Sequence, residues 1–295
     1  MKAKDTLMLI LLAAMWGASF LFMRVAVPVL GPLVLIDLRV LIAGLALLLY
    51  ALLLRKRPQL LHKWKQYLIL GACNAAIPFC LIAGAELSMN ASLAAILNSM
   101  TPLFTAIIAY VWMKEPLTAR KIAGLLLGLT GVIVLVSWNA HAGSTGTIGA
   151  IAMSLGAALF YGVGGIYSGR AFKGEQPLNL AIGQQLAAGL LLLPIALFFL
   201  PTQLPSVSVI WSVLALALLS TSLGYLLYFR LIISVGAVKT LSVTFLVPVF
   251  GIFWGWMFLD EPLSLGMLLG LLIILLGVGL VTGIKLRSRR AEVKV

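Results

Sequence analysis

Apolar runs long enough to cross a bilayer follow one another along the whole chain. They cover residues 6–27, 33–54, 67–86, 92–113, 121–138, 148–169, 178–200, 208–229, 240–259 and 264–284. One membrane-crossing helix needs about 20 apolar residues. Each run is therefore one span, and ten spans with short joints use up the 295 residues. Composition excludes the soluble alternative. The chain is 62% hydrophobic and only 10% charged, where a soluble domain carries about 25% charged residues. Folded in water, it would expose apolar patches far beyond the few hundred Å², roughly, that monomers tolerate. No room is left for a soluble catalytic domain. Lys2 and Lys4 before the first run resemble the start of a signal peptide. That run continues from Thr6 almost to Arg24, longer than such a segment, so it counts as the first span. Turn-forming residues mark the joints: Gly31-Pro32, Arg57-Pro58, Glu115-Pro116, Ala142-Gly143-Ser144, Gly174 to Pro177, Pro201 to Pro205 and Glu261-Pro262.

The charges orient the spans. Net charge is +13, which in a soluble protein would suggest nucleic acid. Here it follows the positive-inside rule. Of the 21 Lys and Arg, all but Arg24 and Arg39 fall at the two termini or in every second joint. That alternation requires an even number of spans and puts both termini in the cytoplasm. The two cysteines, Cys73 and Cys80, lie seven residues apart in one run. On a helix their Cα atoms are about 10.5 Å apart, beyond disulfide reach. No disulfide framework or metal cluster is expected, and no cofactor.

The chain also repeats itself. Residues 91–136 match 237–282 at an offset of 146. Thr101-Pro102-Leu103-Phe104 faces Val247-Pro248-Val249-Phe250, and Glu115-Pro116-Leu117 faces Glu261-Pro262-Leu263. Gly124 and Gly131 face Gly270 and Gly277. Upstream the register slips by one, with Trp16-Gly17 opposite Tyr161-Gly162. Each half holds five spans. Five is odd, so the second half enters the membrane from the opposite side. The expected domains are 1–140 and 146–285, with a basic cytoplasmic tail at 286–295. Inverted repeats characterise secondary transporters, whose substrate site lies near the midplane between the halves.

These features resemble the EamA-type transporters of the drug/metabolite transporter superfamily. The residues that carry the resemblance are Trp16-Gly17-Ala18-Ser19-Phe20, Arg39, Ala94 to Pro102 and Glu115-Pro116-Leu117 in the first half. In the second half they are Gly224-Tyr225-Leu226-Leu227-Tyr228, Gly236-Ala237, Pro248 and Glu261-Pro262-Leu263. The resemblance covers nearly the whole chain. It implies export of amino acids, other small metabolites or drugs, and a cavity lined mainly by spans 1, 3, 4, 6, 8 and 9.

The residues themselves name a candidate site. No carboxylate, Lys, Arg or His falls in the central third of any span. Asp37, Arg39, Arg24 and Glu86 lie toward span ends, and His62 and His141 in joints. Intramembrane charges mark ion pathways, so their absence suggests neutral or zwitterionic solutes. Polar and aromatic side chains do occur at mid-depth: Trp16, Ser19, Asn74, Asn98, Thr101, Tyr161, Ser222, Tyr225 and Thr244. Ser220 and Thr221 share that depth. Pro78, Pro102 and Pro248 are expected to break helices there. A proline frees the carbonyl four residues earlier; for Pro102 and Pro248 these belong to the repeat-mates Asn98 and Thr244. The competing role for each Ser or Thr is to satisfy backbone or bind neighbouring helices. Asp37 and Arg39 are candidates for a gate at the rim. They are two residues apart and cannot pair on one helix face, so any pair must bridge helices, for example Arg24 with Asp37; the alternative is that these charges simply face headgroups. Trp112, Trp138 and Trp211, near span ends, read as interface anchors, as do Trp254 and Trp256. The two Glu-Pro pairs read as chain turns. The glycines of the fifth and tenth spans read as close packing, with homodimer formation as the alternative.

The expected function is secondary transport of a small-molecule substrate by alternating access, outward across a bacterial inner membrane. The alternatives are an uptake permease of the same fold, or a scaffold or sensor that transports nothing. An intramembrane enzyme would need a nucleophile–base pair or metal ligands inside the bundle, and none is visible.

Overall fold

A computed structural model describes residues 2–138, 145–240 and 242–283, with the backbone alone for 237 and 238. His141 and the tail at 286–295 lie outside the described residues. Among these the protein is all helical. Eight helices are long and apolar enough to cross a membrane: α1 (Ala3–Leu53), α2 (Leu61–Ala85), α3 (Ala91–Met113), α4 (Ala119–Ser137), α5 (Thr145–Ala171), α6 (Pro177–Phe199), α7 (Val207–Val235) and α9 (Leu265–Thr282). Between α7 and α9, α8 (Val243–Leu259) is apolar but only 17 residues long. The protein is thus a multi-pass membrane protein.

The first joint differs from expectation. No loop separates residues 27 and 33; α1 is 51 residues long with one non-helical residue, Gly31, at φ 70° and ψ 162°. Positive φ favours glycine, which has no Cβ, and Pro28 and Pro32 flank it. The chain doubles back at this point. In a straight helix residues 23 and 39 would stand about 24 Å apart, yet Arg39 Nη1 lies 3.5 Å from Met23 Sδ. Likewise Ser220 Oγ donates to the Met15 carbonyl and Ser222 Oγ to that of Ala43.

The repeat is written in the backbone as well as the sequence. Lys114 and Asp260, offset by 146, both end a helix in the left-handed conformation, at φ 59° and 52°. The next residues, Glu115 and Glu261, both donate their N–H to the carbonyl six residues earlier, at 3.3 and 3.2 Å. Thr118 and Ser264 then cap α4 and α9 by accepting from Lys121 N and Met267 N. Both repeats also carry a π-helical segment, Ala72–Ala76 and Ala215–Leu223. The causes differ. In the first, Pro78 lacks the N–H that would bond the Asn74 carbonyl, and the Ile77 N–H reaches back to Ala72. In the second, Thr221 and Ser222 donate their hydroxyls to carbonyls five residues back, at 2.8 and 3.0 Å.

The glycines of α4 and α9 face each other within the chain. A methyl group added at Gly124 would lie 2.6 Å from the Gly277 carbonyl oxygen, and one at Gly277 equally close to that of Gly124. The backbones therefore touch. The Glu-Pro pairs do form turns, but they are not equivalent. The Glu261 carboxylate accepts from Ala91 N at 2.7 Å, from Ser92 N at 3.0 Å and from the Ser92 hydroxyl, tying the second repeat to the start of α3. Its mate Glu115 is half exposed and, among the described residues, its carboxylate faces Lys121, at 3.4 Å.

Candidate functional site

A cavity of about 300 Å³ lies where α1, α2, α3, α5, α7 and α8 converge. These include the six spans expected to line it, and the second arm of α1 adds Arg39. Trp16, Ser19, Asn74, Asn98, Thr101, Tyr161, Tyr225 and Thr244 all contribute to its wall, with Pro102 and Pro248. The repeat-mates Trp16 and Tyr161, and Asn98 and Thr244, thus meet in one space.

Two aromatic groups shape the wall. The Trp16 ring centroid lies 5.4 Å from that of Tyr228 and 6.4 Å from that of Tyr225. Tyr161 meets Phe79 edge-on at 6.1 Å. Aromatic pairs at this spacing are favourable and leave ring faces for an apolar solute.

The hydroxyls behave mainly as backbone partners. Ser19 donates to the Trp16 carbonyl at 2.6 Å, Thr101 to that of Asn98 at 2.8 Å, and Ser220 to that of Met15 at 2.8 Å. The Asn98 carbonyl freed by Pro102 therefore already accepts from Thr101. The Asn98 amide is different. Its Oδ1 is buried and finds no hydrogen-bond donor among the described residues. A buried unpaired acceptor is costly, and a donor arriving in the cavity would satisfy it. Asn74 Nδ2 donates to Gln184 Oε1 at 2.8 Å.

Several expectations need correction. Ser222 is not in the wall; it is buried with its hydroxyl on the carbonyls of Ala43 and Ala217. The π-helical winding turns the faces of α7 relative to an α-helical count, and Ser220 lines the cavity instead. Pro78 also lies outside the wall, buried in the first turn after a π-helical segment rather than at a gap. Pro102 does stand at a break, since α3 is interrupted at Ser99 and Met100. Pro248 does not: the helix Val243–Leu259 runs through it without leaving helical conformation. A membrane helix tolerates proline where neighbours satisfy the freed group.

The rim charges are rearranged too. Among the described residues no Arg24–Asp37 ion pair forms; Arg24 donates to the backbone carbonyl of Glu86 instead. Asp37 is buried away from the cavity, its Oδ1 without a hydrogen-bond partner there. Arg39 is not at a rim. It is 5% exposed and lines the cavity, its guanidinium carbon 3.6 Å from the Phe79 ring centroid. Counting residues from a span end located its Cα, not the tip of its long side chain. Trp254 likewise leaves the membrane-anchor class, since its Nε1 donates to the Ala14 carbonyl at 2.9 Å. Sequence reasoning missed Gln184 and Tyr228. The adjacent amides Gln184-Gln185 inside an apolar run signal the first, and the three-residue spacing from Tyr225 signals the second.

At the start of α2, Lys63 pairs with Glu175 of the joint between α5 and α6 at 3.5 Å. The Asn179 amide, with help from Lys63, holds the Glu175 carboxyl below the usual carboxylate range.

A family model described as the EamA-like transporter family matches residues 4–137 and 147–283. The chain is 29% identical over 283 residues to the "Uncharacterized transporter YvbV" of Bacillus subtilis (strain 168), covering 95% of this chain and 92% of that one. It is 25% identical over 293 residues to the "Probable amino-acid metabolite efflux pump" of Escherichia coli (strain K12), covering 94% of each. A solved crystal structure superposes with a TM-score of 0.68 at 19% identity, covering 95% of this chain and 96% of that one; this likeness concerns the fold alone.

Proposed function

The chain belongs to the EamA-like transporter family, and from that premise we propose that it is a secondary exporter of small metabolites, amino acids or their derivatives. It works by alternating access in the cytoplasmic membrane. The observation that carries this reading is the cavity walled by repeat-mates from both halves. α1 is about 76 Å long if laid straight, more than twice the roughly 30 Å of hydrocarbon to be crossed. Its two arms on either side of Gly31 then serve as two spans. With the short apolar α8 counted as another, the chain crosses ten times. Both termini are then cytoplasmic, and the domains 1–140 and 146–285 are inverted copies. Such copies exchange open and closed ends by equivalent motions, which is what alternating access requires. The efflux pump named among the relatives supports outward movement of amino-acid metabolites.

The test compares solutes in the medium of cells that express the unaltered chain, the double variant Trp16→Ala with Asn98→Ala, or no transporter. The unaltered chain is expected to release at least one solute, and the double variant, at equal expression, about tenfold less of it. Asn98→Ala removes the unpaired acceptor and Trp16→Ala removes an aromatic wall; together these account for the roughly 1.4 kcal/mol that a tenfold change represents. Release by the double variant at the unaltered rate would displace the site. No released solute would displace export itself. Ser222→Ala serves as the contrast. It removes a buried hydroxyl outside the wall, so export should stay within about twofold while the melting temperature in detergent falls, by the equivalent of about 1 kcal/mol. An export defect larger than its stability loss explains would return Ser222 to the site.

A further inference from the structure

We propose that Arg39 is the specificity-determining residue of the cavity, and that it selects monocarboxylic acids with an aromatic body over zwitterionic amino acids. The inference rests on the transport reading above; within its range of small metabolites it keeps acids that lack the α-amino group and sets the amino acids themselves aside.

Among the described residues that line the cavity, Arg39 alone carries a formal charge, and no Asp or Glu accompanies it. Among all the described residues the ion pairs within 4 Å are Lys63–Glu175 and Lys121–Glu115. Arg39 has none. Its Nε donates to Thr221 Oγ1 at 3.1 Å and its Nη1 to the Met23 sulfur at 3.5 Å. A guanidinium has five N–H donors, and a thioether is a weak acceptor. The buried Glu86 carboxylate, outside the wall and beyond ion-pair distance, acts on Arg39 only at longer range. A buried cation with no contact partner of opposite charge is expensive in an apolar bundle, and such residues mark sites of function. The Phe79 ring under the guanidinium offsets part of that cost and fixes the plane of the fork. A carboxylate meets such a fork with two parallel charge-assisted hydrogen bonds.

The rest of the wall suits an aromatic body. Trp16, Tyr225 and Tyr228 cluster on one side, and Phe79 with Tyr161 on another. A volume of about 300 Å³ is at the small end of ligand pockets, which run from roughly 300 to 1,000 Å³. An α-ammonium would fare badly here. It would lose its water beside the positive Arg39 and find no carboxylate in the wall. Asn98 Oδ1 could accept one of its hydrogens, but would serve a neutral hydroxyl or amide donor equally well. The preferred solute is therefore the organic anion, not the amino acid of the same skeleton.

The test uses three matched probes on the purified full chain in detergent, near neutral pH. They are hydrocinnamate, phenylalanine (the same skeleton with an α-amino group) and hydrocinnamamide (the same skeleton without the acid). Titration calorimetry is expected to show hydrocinnamate binding at least about tenfold tighter than either of the others. Arg39→Gln should bring hydrocinnamate down to the level of the amide, whereas Arg39→Lys, which keeps the charge, should preserve the order of acid over amide. Melting curves confirm that each variant is folded. If Arg39→Gln does not fold, the order among the three probes on the unaltered protein still decides. The proposal is overturned if the amide or phenylalanine binds as tightly as the acid, if none of the three binds, or if folded Arg39→Gln binds the acid unchanged. Export of solutes that lack a carboxylate would overturn this proposal while leaving transport standing. Absence of any exported solute would instead remove the reading on which it rests.

Discussion

Glu261→Ala is expected to destabilise the folded protein by roughly 3–5 kcal/mol, whereas Glu115→Ala at the matching position of the other repeat should cost less than about 1 kcal/mol. Glu261 is 7% exposed and accepts three hydrogen bonds, from the N–H groups of Ala91 and Ser92 and from the Ser92 hydroxyl. Removing the carboxylate strands two backbone donors and a hydroxyl at the first turn of α3. The site is buried, and each orphaned group there costs about 1–3 kcal/mol. It also removes a negative charge from a helix N-terminus, where the backbone dipole favours one. Glu115 has none of these partners; its contact is a surface ion pair with Lys121, the kind that contributes little. The measurement is denaturation of both variants in the same detergent. Equal losses would mean that the three bonds do not hold the two halves together.

Gly277→Ala is expected to lower stability by about 1–3 kcal/mol or more, enough to reduce the yield of folded protein sharply. The single added methyl would sit 2.6 Å from the Gly124 carbonyl oxygen and 2.8 Å from the Gly128 nitrogen. Both are backbone atoms, so no side chain can swing aside, and α4 and α9 must separate along their contact. Gly149→Ala makes the matched comparison. Among the described residues a methyl there meets nothing within 4 Å, and alanine is the better helix former by up to about 1 kcal/mol. Size-exclusion profiles and melting temperatures of the two variants should therefore move in opposite directions. If both fall together, helix packing is not what the glycines of α9 provide.

Much of this was legible in the residues. The Glu-Pro, Pro and Gly matches at an offset of 146 reappear as matched left-handed caps and matched hydrogen bonds. The reason is that turn chemistry is local and depends on few side chains. The cavity wall was legible where a large or amide side chain interrupts an apolar run, as with Trp16, Asn98 and Tyr161. What stayed hidden depended on three-dimensional reach or on winding. Arg39 lies a few residues inside its run, and only the folded chain shows its guanidinium on Phe79. Ser222 sits in a helix whose π turns are set by hydroxyl bonds to Leu216 and Ala217, and an α-helical count cannot anticipate which face results. Trp254 looks like a membrane anchor until the Ala14 carbonyl comes within reach of its indole.

The turn in α1 has a practical consequence. Two arms of a 51-residue helix reverse direction through the backbone of one glycine. Loops are what antibodies grip, what proteases cut and where tags are inserted. At this tip of the bundle there is no such handle: Val29 on one side and Leu33 on the other are already helical. Reagents meant to seize the protein from that end will find apolar helix shoulders and a single glycine, and the joint between Leu53 and Leu61 is the better place for an inserted epitope.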